Sequence, residues 1–328
     1  MLDLAIVGAG PIGLEAAILA QRARLRYRVF DKGALVDAIY RYPTYMTFFT
    51  TSERLEIGGH PLVTATEKAT RKEALDYYRK VAHAEALEVA SYHQVTDLTP
   101  DAGGFRLTVC AGGDDEHTVR ARAVALATGY FDNPNRLGVP GEDGPHVSHY
   151  YREAHPHYGR DVVNVGAGSS AADAALDLWR TGARVTMLHR GNEFRHSLKY
   201  WIRPNLLNRV AEGSIRAYFR TVLRSIETGT VVAEKDGRQL RLPADQVLLL
   251  TGYHASDELL RKAGAAVDPE TLAAVLDEHF QTTVPGLYCI GSAGFGRRTS
   301  DVFIENGLAH AEVATRHLVA RLAQTPGA

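Results

Sequence analysis

The 328-residue chain has only two cysteines, Cys110 and Cys289, far apart and each inside a strand-like run. That excludes a disulfide scaffold and a C-x-x-C redox pair, and leaves each as a small apolar residue. An excess of charge of either sign is also lacking: 37 Lys and Arg stand against 38 Asp and Glu, a formal net charge of −1. No broad basic surface speaks for nucleic acid or an anionic membrane, so neither is expected as a partner. Long hydrophobic runs are missing too. The most apolar stretch, Ala5 to Ala20, is broken by three glycines and a proline, contains Glu15 and follows Asp3 with no basic leader. It reads neither as a signal peptide nor as a membrane span, and a cytoplasmic protein is expected. The only histidine cluster, His146, His149, His155 and His157, lies in a Pro- and Gly-rich connector without a matched carboxylate or cysteine set. No metal is expected there. What remains, 45% apolar and 23% charged, suits a globular enzyme of about two domains.

The most informative stretch comes first. Leu4 to Val7 is a short apolar strand that breaks into Gly8-Ala9-Gly10-Pro11-Ile12-Gly13 and then into an alanine- and leucine-rich helix. This is the strand, glycine turn and helix of a dinucleotide-binding unit. Gly8 permits the tight turn, Gly10 lets a pyrophosphate approach the backbone, and Gly13 lets helix and strand pack closely. The helix N-terminus then meets the phosphate charge. Tyr27 to Phe30 reads as the second strand, with Asp31 at its end, where a carboxylate can accept both hydroxyl hydrogens of an adenosine ribose.

A second such turn follows Val162 to Val165: Gly166-Ala167-Gly168-Ser169-Ser170-Ala171, the variant in which a methyl replaces the third glycine. It repeats the first at an offset of 158 residues (Gly8 to Gly166, Gly10 to Gly168), and in that frame Asp31 maps onto His189. An acid repels a ribose 2′-phosphate, whereas Arg190 can pair with one and His189 can hydrogen-bond it. The first unit is therefore expected to hold FAD and the second NADPH, with Arg195 a further phosphate candidate. Two apolar strands ending in Thr-Gly, at Thr128-Gly129 and Thr251-Gly252, are expected to close the two units. The fold class is α/β, with two Rossmann-like domains and the NADPH domain inserted into the FAD domain. The expected boundaries are residues 1–133 and 253–328 for FAD and 134–252 for NADPH.

Between these landmarks the reading is coarser. Residues 36–66 are dense in aromatics and hydroxyls, and a loop of that kind is expected to cover a flat ligand, with Tyr40 and Thr47 to Phe49 over the flavin. Thr47 and Phe49 are the nearest to catalytic candidates. Thr70 is expected to cap a helix from about Arg71 to Glu85, with Glu73 completing a capping box. Glu88 to Tyr92, Phe105 to Val109 and His117 to Val119 read as a β-meander, followed by an apolar strand over Ala123 to Gly129 that ends in Ala-Thr-Gly. Lys32 beside Asp31, Gly291 and Ser292 after a late strand, and Phe303 and Ile304 opening the last helix complete the expected FAD contacts. With two dinucleotides in one chain, hydride passes from nicotinamide to flavin and no side chain is obliged to be an acid, base or nucleophile.

Four segments carry a family resemblance: Ile39 to Phe49 (IYRYPTYMTFF), Ala127 to Asn135 (ATGYFDNPN), Gly138 to Asp143 (GVPGED) and Phe303 to Gly307 (FIENG). With them the chain resembles, over nearly its whole length, the bacillithiol-disulfide reductases, flavoproteins on a thioredoxin-reductase-like scaffold. The resemblance implies an FAD- and NADPH-dependent reduction of bacillithiol disulfide, a small-molecule substrate, by a homo-oligomer. Arg297 and Arg298, before the last helix, are candidates to receive the substrate's carboxylates. Family members often carry a cysteine just before the third glycine of the first loop. Ile12 stands there and cannot form a mixed disulfide. Three readings stay open: reduction directly from the flavin, a dispensable cysteine, or a different acceptor. Ser292 departs from an aspartate common in flavoprotein reductases at that place, so a weaker hydroxyl contact to the ribityl chain is expected. Alternatives on related scaffolds are a flavin-dependent monooxygenase, whose F-x-G-x-x-x-H-x-x-x-Y linker motif is absent, and a ferredoxin- or flavodoxin-NADP reductase. A flavin redox sensor is the non-enzymatic alternative.

Overall fold

The structure is a computed structural model describing residues 1–112, 115–194 and 198–324. The chain divides into two compact units, one of residues 1–133 and 253–328, the other of residues 134–252. Among the described residues no helix is long and apolar enough to cross a membrane.

The first unit runs β1 (Leu2–Val7), α1 (Pro11–Arg22), β2 (Tyr27–Phe30), α2 (Asp37–Arg41), α3 (Arg71–Ala84), β3 (Val89–Ala90), β4 (His93–Asp101), β5 (Gly104–Ala111) and β6 (Asp115–Leu126). Its sheet has the order β3-β2-β1-β6-β5-β4. The β3, β2, β1 and β6 neighbours pair in parallel, while β4, β5 and β6 form an antiparallel meander. The chain thus leaves β1 for β2 on one side and returns to β6 on the other. The strand order reverses at β1 and β6, and the carboxyl ends of those strands are where α/β sheets bind ligands.

Two sequence expectations are corrected here. His117 to Val119 and Ala123 to Leu126 are one strand, β6, whose first half pairs with β5 and second half with β1. The run is continuous because each half finds a different partner, so no turn interrupts it. Val89 and Ala90 are not part of the meander but the parallel edge beyond β2; the meander begins at His93 instead. The α3 helix is as expected, with Thr70 accepting from the Glu73 N–H and Glu73 accepting from the Thr70 N–H.

The second unit contains β7 (Val147–Ser148), β8 (Asp161–Val165), α4 (Ser169–Thr181), β9 (Arg184–Leu188), α5 (Arg203–Ala211), β10 (Arg216–Tyr218), β11 (Thr221–Glu227), β12 (Gly229–Lys235), β13 (Arg238–Ala244) and β14 (Gln246–Leu249). A parallel sheet of order β10-β9-β8-β14-β7 reverses between β8 and β14, as the first does between β1 and β6. Its α4 face buries Ala171, Ala172, Ala174, Ala175 and Leu178. The opposite face packs on the antiparallel β11-β12-β13 sheet through Val163, Leu188, Val231 and Leu249. The alanines matter: a small-residue face lets α4 lie close on the sheet behind the glycine turn.

The chain returns to the first unit through α6 (Glu258–Lys262), β15 (Leu287–Cys289) and α7 (Ile304–Gln324). β15 joins the first sheet in parallel beside β6. One face of that sheet carries α1, α3 and α7, with Leu14, Ile18, Tyr78, Ala311 and Leu318 in its core. The other is covered by the meander and α6, with Leu98, Leu107, Val124 and Leu260.

Candidate active site

At the carboxyl end of β1 the chain turns through Gly8 at φ +112°, a conformation open to glycine. A β-carbon on Gly8 would lie 2.4 Å from the Ala127 carbonyl oxygen, and one on Gly13 would lie 1.9 Å from the Gly8 carbonyl oxygen. The turn, the first turn of α1 and the end of β6 are therefore in backbone contact. Gly10, by contrast, faces open space, with nothing within 4 Å of a β-carbon there. It is the N-cap of α1, no side chain caps the helix, and Pro11 takes the first position. A helix start with uncapped N–H groups beside an open, side-chain-free backbone is a cradle for a pyrophosphate.

Asp31 stands just beyond β2. Its carboxylate accepts the Ala9 N–H at 2.7 Å and the Gly33 N–H at 2.8 Å, one on each oxygen. Burial pushes its pKa up, and the two amides pull the other way. A carboxylate has about four acceptor sites, so a fixed pair remains for a vicinal diol. Lys32 turns to Asp132 at 2.9 Å, and Arg41 bridges Asp37 and the same Asp132 while lying over the Phe131 ring. Sequence reading missed Asp132 and Arg41. Only the Asp37–Arg41 spacing of four was visible as a signal, because Asp132 arrives from the turn that follows β6, far away in sequence.

The late segments converge on the same place. A β-carbon on Gly129 would come within 4.0 Å of the Ser292 Oγ. One on Gly291 would lie 3.1 Å from Ile12 Cγ1, and one on Gly307 3.1 Å from Ile12 Cδ1. Ile12 is thus wedged between the Gly291–Gly294 turn and the start of α7, in a slot those two glycines leave open. Asn306 fixes that start by accepting the Phe303 N–H at 2.7 Å, half of a capping box around Ile304. Thr128, Gly129, Gly291, Ser292, Phe303 and Ile304 lie on segments gathered around the glycine turn. Neither cysteine is among them. Cys289 is fully buried in β15, its thiol pushed up to about 12 by burial. Cys110 pairs with Glu116 near the start of β6, ten residues of strand from its end, on the order of 30 Å away.

The aromatic loop divides in two. Thr47 bridges Thr70 and is exposed, as is Phe49. Phe48 between them is 7% exposed and packs in the core near Tyr42. The expectation that Phe48 covers a ligand is corrected: alternate residues of an extended segment face opposite ways, and Phe48 faces inward. Tyr40 lies under the Arg71 guanidinium, half exposed. Arg297 is exposed and makes no ion pair among the described residues, whereas Arg298 reaches Asp301 at 3.8 Å.

The second turn repeats the first. Gly166 has φ +144° and its β-carbon would meet the Leu250 carbonyl oxygen at 2.3 Å, while Gly168 faces open space. Gly168 caps α4 without a side-chain bond, Ser169 and Ser170 open the helix, and Ala171 is fully buried under it. Beyond β9 the His189 imidazole folds over the Gly191 backbone, and Arg190 is exposed with no ion-pair partner among the described residues. Arg195 lies outside the described residues. Thr251 does not point an idle hydroxyl outward: it donates to the Asn135 carbonyl at 2.7 Å, and the Gly252 carbonyl accepts the Asn135 N–H. Among the described residues no group of three or more His, Cys, Asp or Glu could hold a metal ion.

Comparison with known proteins agrees with these two cradles. The family model "Pyridine nucleotide-disulphide oxidoreductase" matches residues 5–291. Bacilliredoxin reductase Bdr of Bacillus subtilis is 38% identical over 318 residues, which cover 95% of this chain and 97% of that protein. The structure of bacillithiol disulfide reductase Bdr from Bacillus cereus superposes with a TM-score of 0.95 at 37% identity, covering 98% and 99% of the two chains. That of Bdr from Staphylococcus aureus does so with a TM-score of 0.91 at 34% identity, covering 99% of each chain. With open glycine turns, uncapped helix starts and an acid fixed at the first, the chain is a member of the pyridine nucleotide-disulphide oxidoreductase family, of the bacillithiol disulfide reductase group, whose cofactors are FAD and a nicotinamide dinucleotide.

Proposed function

We propose that the chain reduces bacillithiol disulfide, or a closely related low-molecular-weight disulfide, to the thiol at the expense of NADPH. The observation that carries the assignment of cofactors is the contrast at the two strand ends. Asp31 is a buried, doubly anchored carboxylate suited to a ribose diol. Arg190 is an exposed cation without an ion-pair partner among the described residues, suited to a 2′-phosphate. FAD thus belongs to the first unit and NADPH to the second. When bound, the flavin supplies two-electron chemistry between the nicotinamide and the substrate.

The protein's own residues bind and orient. The Gly8–Gly13 backbone and the α1 N-terminus neutralise phosphate charge, and Asp31 fixes the adenosine end. Ser292 and Gly129 line the end of β6, with Phe303 and Ile304 opening α7 beside them. In the second unit Gly166, Gly168, Ser169 and Ser170 do for NADPH what the first turn does for FAD. Two electrons and two protons convert one disulfide to two thiols. No enzyme thiol is called for: Ile12 offers none, Cys110 lies near the far end of β6, and Cys289, although only two residues before Gly291, is sealed in the core on the meander side with its thiol pushed up by burial.

Arg297, exposed and without an ion-pair partner among the described residues, and Arg298 beside it are the candidates to receive substrate carboxylates, and Thr47 and Phe49 are on the exposed side of the aromatic loop. The double variant Arg297→Ala, Arg298→Ala is expected to raise KM for bacillithiol disulfide about tenfold or more, the worth of a charge-assisted hydrogen bond, and to leave KM for NADPH unchanged. An unchanged KM for the disulfide removes the two arginines from the substrate site.

A further inference from the structure

The two nucleotide units repeat each other, and at one buried position they differ in kind. At the offset of 158 residues, Ile6 in β1 maps onto Asn164 in β8. Both side chains face the helix that follows the glycine turn. Ile6 lies in one core cluster with Leu14 and Ile18 of α1. Asn164 instead donates from Nδ2 to the Ala171 carbonyl, in the first turn of α4, at 2.7 Å. Asn164 is fully buried, and its Oδ1 has no hydrogen-bond partner among the described residues. Leucine has nearly the same shape and would fill the place without burying an amide oxygen that nothing meets, so packing does not account for an asparagine. The same frame maps Gly13 onto Ala171. A β-carbon on Gly13 would lie 1.9 Å from the Gly8 carbonyl oxygen, which no atom pair tolerates. Ala171 carries that β-carbon, 3.2 Å from where one on Gly166 would stand. The start of α4 therefore stands farther from its turn than the start of α1 does, and Asn164 bridges the wider gap.

We infer that Asn164 is a positioning residue for the nicotinamide coenzyme. It tethers the first turn of α4 from behind and so fixes the cradle of Gly166, Gly168, Ser169 and Ser170. The inference rests on the reading of the second unit as the NADPH site. No side chain caps α4 at Gly168. An ordinary N-cap would hold the turn by its leading N–H groups and occupy donors that a pyrophosphate needs. Asn164 holds the turn by a carbonyl and leaves those donors available. In the first unit the close approach of Gly13 to the Gly8 backbone serves the same end. The pyrophosphate is common to both nicotinamide coenzymes, so loss of the tether falls on the phosphorylated and unphosphorylated forms alike, unlike loss of Arg190.

The test separates affinity from stability. Asn164→Leu keeps the shape and removes the donor. The readouts, on the purified flavoprotein, are the dissociation constants of NADP+ by titration calorimetry and of NAD+ by competition, together with the thermal midpoint. We expect Asn164→Leu to weaken both coenzymes about fivefold to tenfold, the worth of one hydrogen bond, with a midpoint no lower than wild type because the unpartnered oxygen leaves with the donor. A packing role gives the opposite split, a lower midpoint with both affinities unchanged, and that result overturns the inference. Weakening confined to NADP+ overturns it too. The double variant Asn164→Ile, Ala171→Gly copies the pair found in the first unit and is expected to bind both coenzymes more tightly than Asn164→Ile alone. Should Asn164→Leu not fold, those two variants decide: recovery in the double supports the tether, and equal affinities overturn it. A wild-type protein that binds neither coenzyme would instead overturn the underlying reading, so the two failures are distinguishable.

Discussion

Arg190 is the residue on which the proposed difference between the two nucleotide sites can be tested singly. Arg190 has a solvated guanidinium without an ion-pair partner among the described residues, so its loss costs no fold contact and falls on whatever it binds. Arg190→Ala is expected to raise KM for NADPH by about 10- to 100-fold, the worth of one or two charge-assisted hydrogen bonds, with little change for NADH. Equal effects on both coenzymes, measured in steady state, would deny the 2′-phosphate role. Glu15 makes a second prediction at this scale. It is buried in α1, accepts the Gly58 N–H at 2.7 Å, and has its pKa pushed up by burial more than the amide pulls it down. A carboxyl with a raised folded-state pKa binds its proton more tightly folded than unfolded. Its contribution to stability therefore falls as pH rises from the ordinary glutamate range through that raised value. Glu15→Gln keeps an acceptor for Gly58 and removes the titration. Relative to wild type, its denaturation midpoint should gain between pH 5 and pH 7.5. A difference that does not change with pH would contradict the assignment.

At the scale of elements, α1 and α7 are joined through Ile12. The side chain fills the slot left by Gly291 and Gly307, so shortening it opens a gap between the Gly291–Gly294 turn and the start of α7. Ile12→Ala should cost about 2 kcal/mol of stability, at the lower end for a large-to-small change because the site is half-buried, and should speed FAD release. A wild-type thermal midpoint and release rate would show that the wedge carries no weight. Elements whose signals are local were legible in the sequence. The strand–turn–helix at Gly8, its repeat at Gly166 and the Thr70–Glu73 capping box are written in neighbouring residues. Features that depend on partners were not. β6 reads as two strands because its halves alternate differently, and only β5 on one side and β1 on the other make it one. Phe48 reads as one of a run of aromatics, yet its direction is set by the Thr47–Thr70 bridge and the Phe48 N–H bonded to the Ala69 carbonyl. Asp132 carries no motif; its meaning comes from Lys32 and Arg41, which reach it from elsewhere in the chain.

For the whole molecule, one topology is used twice, with one change of chemistry. In each unit the parallel strands reverse their order beside a glycine turn, and in each the second glycine of the turn, Gly10 or Gly168, faces open space. The first is lined with a fixed acid, the second with an exposed base. Such a chain takes hydride from NADPH and holds a flavin to pass the electrons on; the disulfide substrate is the proposal that membership of the bacillithiol disulfide reductase group supports. The most direct measurement is anaerobic. The purified flavoprotein is reduced with one equivalent of NADPH, and bacillithiol disulfide, oxygen and oxidised ferredoxin are then added to separate samples. Rapid return of the oxidised flavin spectrum with the disulfide, and release of two thiols per flavin, is the predicted result. A flavin that stays reduced with the disulfide but is reoxidised by ferredoxin or oxygen would contradict it.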